Sequence, residues 1–116
     1  MKNFIIIILS FLSSPSFCQT ERPENEEVAQ KFEILYNAED FEEIFNHFSN
    51  SMKSALPLDK TTEFLNALKS QSGAIKNREF ITYVNGTYAS YKTTFERALF
   101  AVNISIDGDS KINGLF

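Results

Sequence analysis

Hydrophobic residues change their spacing near Gly73. Before it they recur at intervals of three and four residues, the period of one face of an α-helix. After it the runs are rich in Ile, Val, Tyr, Phe and Thr, and Phe100, Val102 and Ile104 alternate with small or polar residues, as in a strand with one buried face. Helices followed by an antiparallel meander predict an α+β domain in which the helices cover the apolar face of the sheet.

Three helices are predicted before Gly73, the first starting at Glu26 and the second opened by Glu39 and Asp40. Asp59 is the expected N-cap of the third, and Gly73 lies at the C′ position that favours glycine. The apolar faces are Val28, Phe32, Leu35 and Tyr36; Phe41, Ile44, Phe45 and Phe48; and Thr61, Phe64, Leu65 and Leu68. On this pattern Phe45 and Phe64 are core residues, and truncating either to alanine should cost about 3–5 kcal/mol.

About four strands are predicted after Gly73, over residues 75–84, 87–95, 99–106 and 111–116. Asn85 and Gly86 between the first two form a strong hairpin signal. Asp107-Gly108-Asp109 marks another turn. It is not a calcium loop, because lysine and isoleucine follow where such a loop needs Asp or Asn and then Gly.

The first 18 residues have the features of a secretory signal peptide. Lys2 gives a positive start, residues 4–12 form an apolar run too short to cross a bilayer, and Pro15 ends it before a cleavage site at Cys18. Cleavage there leaves a polar leader, residues 19–25, and a single domain, residues 26–116. Bulky Phe17 argues against a lipoprotein acylated at Cys18. We therefore expect export to the periplasm or the extracellular space, with no membrane span after cleavage.

Loss of the signal segment changes the chemistry of the chain. Cys18 is the one cysteine, so the mature chain cannot form a disulfide and its stability must come from an apolar core. Removing Lys2 leaves ten basic residues against 15 acidic ones, a net charge of −5. No basic stripe interleaved with aromatic residues is present, which argues against a nucleic-acid partner.

His47 is the one histidine in the chain and the first candidate for catalysis. It lies on the flank of the second predicted helix, four residues after Glu43 and outside the apolar stripe. A metal ligand would need companions, and a general base would need an orienting partner. The mature chain has no second histidine and none of the common hydrolase motifs. The pattern favours a half-exposed helix histidine over a site, and predicts no catalytic residue, no metal and no cofactor.

The spacing of core and turn residues resembles a known family over about the whole mature chain. The resemblance is carried by FEILYNAEDF at 32–41, Ile44, Phe48, MKSALP at 52–57, Phe64, Leu65 and Gly73. These positions resemble the domain of unknown function 3887, found in secreted bacterial proteins. The resemblance implies a nuclear-transport-factor-2-like fold, a cone of helices against a curved antiparallel sheet. It also implies a place ahead of a serine hydrolase or peptidase domain, and it carries over no catalytic residues.

Two function hypotheses follow. The first is an exported, non-catalytic accessory module ahead of a hydrolase domain. The apolar strand pattern that runs to Phe116 either closes the domain or belongs to a longer protein of which this chain is the front part, and the second alternative agrees with the resemblance. The second is a small-molecule or isomerase-like site in the cone between helices and sheet, lined by Tyr83, Tyr91, Arg78 and His47. A cone filled by aromatic side chains would favour the first hypothesis, and an open pocket near the tyrosines the second.

Overall fold

The computed structural model describes residues 20–116, so the predicted signal segment, residues 1–18, lies outside the described range. Helices come first and strands after, which confirms the predicted α+β class. The elements are α1 (Pro23–Asn37), α2 (Phe41–Asn46), α3 (Asn50–Ala55), α4 (Leu58–Ser72), β1 (Ile75–Val84), β2 (Tyr88–Phe95), β3 (Leu99–Ile106) and β4 (Ile112–Leu115). None of the helices between residues 20 and 116 is long and apolar enough to cross a membrane.

The strands form one open antiparallel meander in the order β1-β2-β3-β4. Asn85 and Gly86 join β1 to β2 with φ angles of 52° and 86°, the positive values that primed hairpin turns require. The turn before β4 is organised by Asp107, whose carboxylate accepts hydrogen bonds from the backbone N–H groups of Asp109 and Lys111 at 2.9 and 3.0 Å. Both predicted turns are therefore confirmed.

The helices bury one face of the sheet. The buried apolar residues are Ala29, Phe32, Tyr36, Phe41, Ile44, Phe48 and Leu65 from the helical half, and Ile75, Ala89, Tyr91, Phe95, Ile104 and Ile112 from the sheet. Tyr36 is fully buried and its hydroxyl donates to the carbonyl of Gly73 at 2.8 Å. Burial raises the pKa of Tyr36 to about 12, so its hydroxyl stays protonated at neutral pH.

Helix α1 begins at Pro23, three residues before the predicted start at Glu26. Proline suits the first helical position because its missing N–H would have no partner there and its fixed φ is already helical. The early start buries Asn25, which the sequence pattern places in the leader. At its other end, the side chain of Asn37 accepts from the backbone N–H of Ile75 at 2.8 Å and so ties α1 to β1.

The connection between α2 and α4 differs from the prediction in two ways. Residues Asn50–Ala55 form the extra helix α3, capped by Ser49, whose hydroxyl accepts from the N–H of Met52 at 3.2 Å. Helix α4 then starts at Leu58 with Pro57 at the N-cap position, so the prediction of Asp59 as N-cap is wrong. Asp59 lies in the first turn, where its charge still favours the helix N-terminus.

Phe64 is not the core residue that the pattern predicts, because its side chain is 49% exposed. Adjacent positions on a helix differ by about 100°, so Phe64 and Leu65 cannot both point at the centre of the core. Helix α4 buries Thr61 and Leu65 and leaves Phe64 at the edge. Phe45 is partly buried and packs against the core.

Candidate functional site

Three of the four predicted site residues, Tyr83, Tyr91 and Arg78, come together on the helix-facing side of β1 and β2. The guanidinium carbon of Arg78 lies 5.5 Å from the centre of the Tyr91 ring, and its Nη1 lies 3.6 Å from Oε1 of Glu33 on α1. Phe80 packs edge-on against both tyrosines, with ring centres 5.2 and 5.8 Å away. We call Tyr83, Tyr91, Arg78 and Phe80 the tyrosine cluster.

The start of α1 and the two residues before it cover the tyrosine cluster. The hydroxyl of Tyr91 donates to a carboxylate oxygen of Glu21 in a short hydrogen bond. The hydroxyl of Tyr83 donates to the side-chain oxygen of Asn25 at 3.1 Å and accepts from the backbone N–H of Arg22 at 2.9 Å. Tyr91 is only 1% exposed as a result. Atoms of the chain itself therefore occupy the positions that a ligand of these tyrosines would need.

The electrostatics of the tyrosine cluster favour a neutral Tyr91. Burial raises the pKa of Tyr91 far above its ordinary value, the hydrogen bond to Glu21 raises it further, and the nearby Arg78 opposes the shift. A phenol with so high a pKa does not release its proton at neutral pH. The cluster is thus suited to holding α1 on the sheet, and poorly suited to general acid–base chemistry.

His47 lies apart from the tyrosine cluster, so the predicted four-residue lining does not form. It follows the last residue of α2, its side chain is 32% exposed, and its Nε2 lies 3.5 Å from Oε2 of Glu43. The predicted partial exposure is thus confirmed, whereas the predicted place within the helix is wrong, because His47 is the C-cap residue. The backbone carbonyl of His47 accepts from the N–H of Ile112, which joins the end of α2 to β4.

A cleft of about 300 Å³ opens beside His47, between α1, the end of α2 and the turn before β4. Its apolar lining is Val28, Phe32, Leu35, Ile44 and Ile112. Its polar lining is Glu27, Lys31, His47, Asp109, Ser110 and Lys111. We call it the rim cleft, and no residue of the tyrosine cluster lines it.

A second cavity, of about 280 Å³, runs between α4 and strands β2, β3 and β4 of the sheet. Every residue that lines it is apolar: Phe32, Phe64, Leu65, Leu68, Phe95, Phe100, Ala101, Val102, Leu115 and Phe116. Phe64 and Phe100 on opposite sides are 49% and 44% exposed. We call this surface the apolar groove.

Sequence reasoning missed both the rim cleft and the apolar groove. The available signal for the groove was the pair of adjacent large residues Phe64 and Leu65, since a helix that points Leu65 at the core places Phe64 about 100° away, at the edge of the buried face. The rim cleft gave no local signal, because its lining comes from three segments that only the folded chain brings together.

The part of the chain that the structure describes contains no set of side chains arranged as metal ligands. Between residues 20 and 116, no group of three or more His, Cys, Asp or Glu side chains is placed to hold an ion. Asp107, the first acid of the Asp-Gly-Asp motif, instead serves its own turn.

One comparison with known proteins gives a match. A family model with the description "Protein of unknown function (DUF3887)" matches residues 29–115, which is most of the chain. No curated protein and no solved structure is significantly similar to this chain. The family description names no activity, and so it adds no catalytic residue to the geometry above.

Proposed function

The chain belongs to the family described as protein of unknown function (DUF3887), and we propose that it is an exported, non-catalytic accessory module. Its apolar groove binds a neighbouring hydrolase domain carried by the same polypeptide. The observation that carries this proposal is the groove itself: ten apolar lining residues with two half-exposed phenylalanines, Phe64 and Phe100, on facing elements.

Exposed aromatic residues around an apolar depression are typical of protein-binding surfaces. Soluble proteins rarely leave contiguous apolar patches open, and aromatic side chains in such patches are enriched among the residues that carry binding energy. Phe64, Phe100 and Phe116 together offer three rings at one surface. A partner that buries them gains about 25 cal/mol for each Å² of apolar area removed from water.

The non-catalytic part of the proposal rests on the state of the residues that sequence reasoning selected. Tyr91 is buried and hydrogen-bonded to Glu21, and Arg78 lies against its ring. His47 does not line a cavity with them, and its Nε2 lies 3.5 Å from a carboxylate oxygen of Glu43. These residues do not form an accessible pair of groups with matched acid and base roles.

Export and the hydrolase partner are supported by the sequence. The start of the chain has the order of charge, apolar run and cleavage site of a signal peptide. The resemblance to secreted proteins in which this domain precedes a hydrolase supplies the class of partner. The groove supplies a surface on which such a domain would pack.

Site-specific photo-cross-linking tests the proposal in the full-length gene product. We expect p-benzoyl-phenylalanine at position 100 to cross-link to peptides of the hydrolase domain, as mapped by mass spectrometry. Position 34 is the matched control, because Ile34 is 58% exposed on α1 and does not line the groove. Equal yields from both positions, or a gene product without a second domain, would overturn the proposal.

A further inference from the structure

The rim cleft combines an apolar floor with charged groups of both signs at its mouth. Phe32, Ile44 and Ile112 are buried in the floor, so the apolar surface there is part of the rigid core. The volume of about 300 Å³ lies at the small end of ligand pockets. The cleft therefore suits a small molecule with an apolar body and a polar head.

The charges at the mouth come in two matched pairs. Helix α1 contributes Glu27 and Lys31, and the turn before β4 contributes Asp109 and Lys111. Among the residues that the structure describes, none of these four side chains lies within 4 Å of an oppositely charged partner. Two ammonium groups and two carboxylates thus remain available to a ligand.

This balance disfavours a ligand of single charge. A simple carboxylate would be attracted by Lys31 and Lys111 and repelled to a similar extent by Glu27 and Asp109, and a simple amine would meet the reverse. A head group that carries a positive and a negative charge close together is attracted both by the two lysines and by the two carboxylates. Its charge-assisted hydrogen bonds are stronger than those of a neutral head.

We propose that the rim cleft binds a small zwitterion with an apolar side chain, of the chemical class of the apolar α-amino acids. Lys31 and Lys111 hold the carboxylate, Glu27 and Asp109 hold the ammonium group, and the side chain packs on the floor. The proposal is independent of the apolar groove, whose lining shares only Phe32 with the cleft.

Calorimetric titration of the full-length protein with three probes tests whether the ligand must carry both charges. The probes share a phenyl ring on a short aliphatic chain and differ in their charged groups. The probes are L-phenylalanine, 3-phenylpropionate, which lacks the ammonium group, and phenethylamine, which lacks the carboxylate. We expect L-phenylalanine to bind about tenfold more tightly than either analogue, since each analogue leaves two charges of the mouth unpaired. Equal binding of all three, or no binding of L-phenylalanine, would overturn the proposal.

Two exposed variants locate the site without disturbing the core. Lys111→Gln is expected to weaken L-phenylalanine about tenfold and to strengthen phenethylamine, whose ammonium group Lys111 repels. Asp109→Asn is expected to weaken L-phenylalanine and to strengthen 3-phenylpropionate for the same reason. Lys92→Gln is the control, because Lys92 is exposed on β2 and does not line the cleft. L-Phenylalanine binding that both cleft variants leave intact would show that it binds elsewhere, which also overturns the assignment.

Discussion

The aromatic residues at the two ends of the sheet differ in how far they are buried. At the β1–β2 end, Tyr83 and Tyr91 are covered by the start of α1 and the residues just before it, where Asn25 and Glu21 accept hydrogen bonds from the two hydroxyl groups. At the β3–β4 end, the apolar ring of Phe100 remains 44% exposed beside α4. Aromatic character alone therefore does not decide which region is core. The decisive factor is which part of the sheet a helix reaches.

This difference separates the roles of the two regions. The tyrosine cluster fixes α1 to the sheet through hydrogen bonds and ring contacts, so its residues contribute to the stability of the fold. The apolar groove leaves apolar surface exposed to water, although burying that surface would favour folding. We therefore expect substitutions in the cluster to change stability and substitutions in the groove to change association.

The largest effect is expected for Tyr91→Ala. Removing a buried aromatic ring leaves a cavity, and the hydrogen bond to Glu21 is lost with it. The free energy of unfolding should fall by about 3–5 kcal/mol, measured by urea denaturation. A loss below about 1 kcal/mol would mean that the start of α1 does not depend on the cluster.

The next largest effect is expected from high pH, through the buried Tyr36. The folded-state pKa of Tyr36, about 12, lies above its unfolded value of about 10. The folded state thus holds the proton more tightly, so the stabilisation is complete below pH of about 10 and is lost as the pH rises towards about 12. Urea denaturation at several alkaline pH values should show this decline, and Tyr36→Phe should make it shallower. An identical pH dependence in the variant would contradict the assignment.

Tyr91→Phe should have an intermediate effect. It keeps the ring and removes only the hydroxyl that donates to Glu21, which costs about 1–2 kcal/mol of stability for a buried hydrogen bond. Tyr88→Phe is the matched control, since no hydrogen bond of the Tyr88 hydroxyl is present among residues 20–116. Equal losses in the two variants would show that the hydroxyl of Tyr91 has no special role.

The smallest effect on stability is expected for Phe64→Ala. Its side chain is 49% exposed, so folding buries only about half of it, and the loss should be about 1 kcal/mol, roughly half of what full burial of such a side chain contributes. Thermal denaturation of the purified variant checks this value. A loss equal to that of Tyr91→Ala would place Phe64 in the core, as the sequence pattern predicts, and would remove the basis for an open groove.

Much of the fold could be predicted because its signals are local. The hairpin at Asn85 and Gly86 follows from their tolerance of positive φ, and the end of α4 at Gly73 follows from the same property. Helix α3 could not be predicted, since Asn50–Ala55 has no apolar period and is capped by a single hydroxyl. The burial of Phe64 was predicted wrongly because a helical wheel shows which face of α4 is apolar but not how wide a strip of that face the sheet covers.

The candidate sites were predictable only in part. Tyr83, Tyr91 and Arg78 meet because the hairpin register brings their strands side by side. Their cover by Glu21 and Asn25 depends on contacts across more than 55 residues of sequence, which no local pattern encodes. The lining of the rim cleft and of the apolar groove has the same long-range origin.

Association after cleavage between the domains tests the central claim most directly. A protease site is placed between this domain and the hydrolase domain that we propose for the full-length protein, and the cut product is run on gel filtration. We predict that the two fragments of the wild-type protein and of Ile34→Ser co-elute, while those of the double variant Phe64→Ser, Phe100→Ser separate. Co-elution of the double variant to the same extent as the wild type would contradict a binding role for the apolar groove.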